Sequence, residues 1–177
     1  MLDIAVAYNK YKFLGNEFLT WLWYVVENDL SLSELTGIMD KRITLEVGNS
    51  ITLENSLGDD SKEKISIKGD DADLEEGTTA LKKGAVVTDI NLILKVDDGE
   101  YKFSIKGESM NITGLKTPPA GKVENPDDVE GAILEKTYLC NTLFEIVDAL
   151  YITYIKKRVA ETWTTQDLPA MREWIKL

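Results

Sequence analysis

The sequence has no histidine, one cysteine and four prolines in 177 residues, and its 31 acids outnumber its 20 bases. Without histidine there is no Ser-His-Asp or Cys-His catalysis, no imidazole metal ligand and no imidazole pH switch. A lone cysteine, Cys140, excludes an intramolecular disulfide and any multi-cysteine zinc site, and a reducing cytosol is the expected home. Met1-Leu2-Asp3 lacks the basic start of a secretory signal. The longest apolar stretch, near Leu19 to Val26, is far shorter than the ~20 residues of a membrane span. What remains is a chain that is 44% hydrophobic with a net charge of -11. That is a globular composition, and the length suits one domain over residues 1–177.

Residues 13–28 carry the first strong pattern. Phe18, Trp21, Leu22 and Val25 lie on one helical face, while Leu14, Leu19, Trp23 and Val26 widen the stripe. Trp21 and Trp23 point about 200° apart on a helix, so one stripe cannot bury both. Either the helix is enclosed within the chain, or Trp21, Trp23 and Tyr24 supply an interaction surface for a partner. Core packing is the default for such aromatics. Ser31-Leu32-Ser33-Glu34 reads as a cap followed by a short helical turn.

Residues 42–115 read as a sheet. Ile43, Leu45 and Val47 alternate with polar residues, as do Ile51 and Leu53, and Gly48-Asn49 between them predicts a hairpin. Ile65 and Ile67 mark another strand. An inserted helix over 71–83 ends at Gly84. Val86, Thr88, Ile90, Leu92, Leu94 and Val96 are expected on one face of a long strand. Asp97-Asp98-Gly99 is a tight turn into Tyr101, Phe103 and Ile105, and a shorter strand holds Met110 and Ile112. Short connections imply antiparallel neighbours, about six strands in all. A linker over 116–128 leads to helices over 129–177: a long one from Val129 to about Thr162 and a short one from about Asp167 to Lys176. The expected fold class is α+β, a mainly antiparallel sheet flanked by an N-terminal apolar helix and these C-terminal helices.

Few constellations point to chemistry. Asp70, Asp71, Asp73, Glu75 and Glu76 could hold a hard cation, but their spacing does not fit a calcium loop, and a solvated helix start accounts for them. Asp97 and Asp98 are turn residues before they are paired carboxylates. Cys140, among Leu139, Leu143 and Phe144, reads as an inert thiol. Asn111-Ile112-Thr113 fits a glycosylation sequon but sits in a strand pattern. No catalytic residue, metal ligand or cofactor is expected. Lys64, Lys68, Lys95, Lys102 and Lys106 all fall opposite the apolar residues of their strands. Such a lysine face is either ordinary solvated surface or a phosphate-contacting track within an acidic protein.

The run Phe13-Leu14-Gly15-Asn16-Glu17-Phe18-Leu19-Thr20-Trp21-Leu22-Trp23 resembles a segment of the recombination-associated protein RdgC family. So does Leu81-Lys82-Lys83-Gly84-Ala85-Val86-Val87-Thr88, followed by a long apolar strand, an acidic turn and a strand with exposed lysines. The similarity is to the C-terminal part of longer family chains, and Asn16 stands where similar sequences carry a basic residue. The resemblance implies a non-enzymatic protein of the cytoplasm and nucleoid. It implies a homo-oligomer that binds double-stranded DNA without sequence preference and restrains a RecA-type recombinase. It assigns a DNA-facing role to the lysine face and no catalytic residue. The competing expectation is a protein-interaction or assembly module, of a kind that phages and mobile elements encode, with no nucleic-acid role.

Overall fold

The computed structural model describes residues 4–56, 62–69 and 74–176. The chain opens with two helices, α1 (Ile4–Tyr11) and α2 (Phe13–Glu27), and a short α3 (Leu32–Thr36). The Ser31 hydroxyl caps α3 by accepting from the Glu34 amide, and Gly37 ends it in the left-handed conformation. Five strands follow: β1 (Ile43–Ser56), β2 (Lys62–Lys68), β3 (Val86–Val96), β4 (Gly99–Lys106) and β5 (Asn111–Lys116). Helix α4 (Leu74–Lys82) interrupts them, and α5 (Asp128–Val159), a π-helical turn (Trp163–Asp167) and α6 (Leu168–Lys176) complete the chain. The sheet is antiparallel throughout, in the order β2-β1-β3-β4-β5. Among the described residues no helix is long and apolar enough to cross a membrane.

The count of five strands corrects the expected six, and the reason is local. Residues 43–56 form one strand, not a hairpin turning at Gly48-Asn49. Val47 pairs with Leu92 and Ile51 with Ile90, so Gly48, Asn49 and Ser50 bulge opposite Asn91 alone. The Asn91 side chain fills the bulge. Its Oδ1 accepts from the Asn49 amide, and its Nδ2 donates to the Phe103 carbonyl and the Ser104 hydroxyl. A Cβ on Gly48 would lie 2.0 Å from that Oδ1, which is why glycine stands there.

A second bulge corrects the face of β3. Leu53 pairs with Val87 and Thr52 with Asp89, leaving Thr88 as the extra residue. The bulge turns Val87 into the core and Val86 outward, against the simple alternation expected of them.

Both long helices pack on one side of the sheet. Phe18 and Leu22 of α2 and Ile146, Val147 and Leu150 of α5 close over Leu92, Leu94, Phe103 and Ile105. Helix α2 is thereby enclosed: sheet lies beneath it, with α5 and α6 against its other sides. Trp21 is 1% exposed and Trp23 0%. Trp21 packs on Tyr154, and Trp23 and Tyr24 meet Trp174 edge-on at 5.4 and 5.7 Å. Enclosure, not a partner, buries the two tryptophans, so they offer no surface for docking. Two glycines permit the close approach of α2: a Cβ on Gly15 would meet the Gly107 carbonyl at 1.8 Å, and one on Gly77 would strike Trp23 at 2.5 Å.

Beneath α2 a polar cluster ties it to α5. The buried Tyr154 hydroxyl donates to Glu17 Oε2 at 2.9 Å, and Arg158 Nε donates to the same oxygen at 2.8 Å. Burial, then the adjacent Glu17 carboxylate, drives the Tyr154 phenol well above its ordinary value.

Candidate nucleic-acid interface

With both long helices on one side, the described side chains on the opposite side of the sheet are exposed or half-buried. Pleating puts there every second residue of each strand. From β2 come Lys64, Ser66 and Lys68, and from β1 Thr44, Glu46, Thr52 and Glu54. From β3 come Asp89, Asn91, Ile93 and Lys95, from β4 Glu100, Lys102, Ser104 and Lys106, and from β5 Thr113 and Lys116. The five lysines singled out from the sequence therefore share one face, with Lys116 as a sixth. Alternation alone did not reveal Lys116, because Gly114 (φ +63°) and the register shift between Lys102 and Ser104 break the pattern of β5.

Acids divide this set into held and free cations. Lys95 Nζ sits 2.6 Å from Glu46, whose carboxylate raises the lysine above its usual value, and Lys102 lies 3.1 Å from Glu100. Glu54 pairs across strands with Lys64, and Asp89 with Lys106. Lys68 at one edge and Lys116 at the other have no acid directly opposite: their cross-strand neighbours are Ser50 and Lys102. Among the described side chains, six lysines stand against four acids on this face, a net positive set within a chain of charge -11.

One end of the face dips into a polar recess of about 380 Å³, where Lys12, Lys64 and Lys106 converge with Glu54, Asp89 and Glu108. Lys12 pairs with Glu108 at 3.1 Å. Burial pushes the Asp89 carboxyl above its ordinary value, and Lys106 and Lys64 pull back against it. Asn16 borders this recess, and its buried Oδ1 has no hydrogen-bond partner.

The other singled-out residues fall elsewhere. Asp97 accepts from the Arg42 amide in the β3–β4 turn, and Asp98 is fully exposed at 3.7 Å from Arg42. Cys140 is half-buried on α5. Of the Asp70 to Glu76 cluster, Asp70, Asp71 and Asp73 lie outside the described residues. Among the described residues no group of acids and cysteine is placed to hold a metal ion. No family model, curated protein or solved structure matches the chain.

Proposed function

We propose that this chain is an RdgC-like, non-enzymatic DNA-binding protein whose open sheet face contacts duplex phosphates without reading bases. The supporting observation is the net positive face on a strongly acidic chain. Lysines on short-pitched strands meet phosphate oxygens as point charges, and Ser66, Ser104 and Thr113 between them add hydroxyl donors. The surrounding acids repel nucleic acid elsewhere, which confines contact to this face. A cytoplasmic, nucleoid location, a second copy of the chain and a RecA-type recombinase as partners go with this reading through the resemblance.

The test is anisotropy of labelled duplexes of two unrelated sequences, at low and high salt. Equal affinity for both sequences is expected, with binding at about 50 mM salt that is lost by about 200 mM. Absence of binding at the lower salt overturns the proposal.

A second reading, a protein-assembly module, is favoured by the start of α5. Ile133, Leu134 and Tyr138 there are 60%, 63% and 61% exposed. Sedimentation that shows a stable oligomer indifferent to DNA would select it over the first.

A further inference from the structure

Helices α2, α4 and α6 leave between them a cavity of about 440 Å³ that shares no lining residue with the recess of the lysine face, and its walls are chiefly apolar. Leu81, Trp163, Met171 and Ile175 form its lining. Two of the polar side chains that border it are tied to the protein itself. Thr20 Oγ1 donates to the Asn16 carbonyl and accepts from the Val87 amide. Glu17 is held by Tyr154 and Arg158. The carboxylate of Glu17 offers no donor to an anionic head, and the rest of the wall is chiefly apolar, so the part an occupant buries there is apolar.

The rim has a different character. Lys82 and Arg172 border the opening, and neither has an ion-pair partner among the described residues. Lys176 is also there but is engaged by Glu173 at 2.7 Å. The π-helical turn contributes the buried Trp163 from the corner where α5 gives way to α6. Such wide turns recur at binding sites because they cost stability and persist where they place a side chain that a regular helix would misdirect. The volume lies within the range of small-ligand sites.

We propose that this cavity binds an amphipathic monoanion: a hydrocarbon chain or ring of about ten carbons carrying one carboxylate-type head, the chain on Trp163 and Met171 and the head between Lys82 and Arg172. The charge of the rim selects the head, and the chiefly apolar wall selects the tail.

Decanoate and decyltrimethylammonium, of equal chain length and opposite charge, are the probes. Each is titrated below its micelle concentration by calorimetry and by tryptophan fluorescence. Decanoate binds at least about tenfold more tightly than the cation, and reversing the rim with Lys82→Glu and Arg172→Glu inverts that preference. Met171→Trp fills the cavity and abolishes binding. Both rim residues are exposed, so the rim variant reports even if the cavity-filling one fails to fold. Equal affinity for the two probes, or affinity unchanged by the rim reversal, means apolar adsorption only and overturns the proposal. So does absence of decanoate binding at about 1 mM.

Discussion

Tyr154→Phe and Glu17→Ala probe opposite ends of one hydrogen bond, and the structure sets their costs apart. The Tyr154 ring is fully buried, and its hydroxyl donates to Glu17, which also accepts from Arg158. Phenylalanine keeps the packing on Phe18, Trp21 and Trp163. Glu17 keeps Arg158 and its 37% exposure, so no charge is stranded. The loss is therefore at the lower end for a bond to a charged acceptor, about 1.5 kcal/mol. That lowers the melting temperature by about 3–6 °C in a domain of this size. Glu17→Ala instead leaves a phenol hydroxyl buried without an acceptor, which costs about 1–3 kcal/mol. Loss of the half-exposed Arg158 pair adds at most about 1 kcal/mol. In the double variant the stranded hydroxyl is gone, so the combined cost falls below the sum by about 1 kcal/mol. Urea unfolding of the four proteins measures this directly. Strict additivity, or a Tyr154→Phe cost equal to that of Glu17→Ala, would refute the reasoning.

Other consequences follow from close contacts and burial. Gly15→Ala forces α2 off the Gly107 carbonyl and lowers the urea midpoint by the equivalent of about 2 kcal/mol or more, with unchanged slope. Asn91→Ala removes the acceptor of the exposed Asn49 amide and the part-buried bonds to Phe103 and Ser104, costs about 1 kcal/mol, and speeds hydrogen exchange at Asn49 before that at Leu92. Asp89 carries a raised carboxyl, so the folded state binds its proton more tightly than the unfolded chain does. Its contribution to stability is present at low pH and lost as pH rises from the ordinary value of 3.8 through the raised one. Asp89→Asn removes that dependence. The stability of the variant relative to the parent, followed by thermal unfolding, should therefore grow over this interval and level off above it.

The elements that could be read from the sequence are those where pattern and packing agree. The stripe of α2, the Ser31 cap, the β3–β4 turn at Asp97-Asp98 and the side of the sheet taken by the lysines all follow from local periodicity. Gly48-Asn49 misled because a glycine can serve a bulge as well as a turn. The corrective signal was the length of the strand at 86–96, which needs an equally long neighbour and finds it only if residues 43–56 run on unbroken. The exchange of Val86 for Val87 could not be read locally, since the Thr88 bulge is a property of the pairing with Thr52 and Leu53. The enclosure of Trp21 and Trp23 depends on α5 and α6, more than 100 residues away. Periodicity stated the problem of their opposed directions without choosing its answer. The ion pairs that hold Lys95 and Lys102 likewise belong to the register between strands.

Charge substitution on the sheet face shows whether duplex DNA binds there. One protein carries Lys64, Lys68, Lys106 and Lys116 changed to glutamine. A control carries the same change at Lys82, Lys83, Lys122 and Lys156, exposed positions outside the strands. Both have the same net charge. If about four phosphates are neutralised, the parent loses about 100-fold in duplex affinity between roughly 50 and 200 mM salt. With the interface on this face, the face variant loses binding and its salt dependence, while the control retains both. Equal weakening of the two proteins would show that net charge alone governs the interaction, and would contradict a DNA interface on this face.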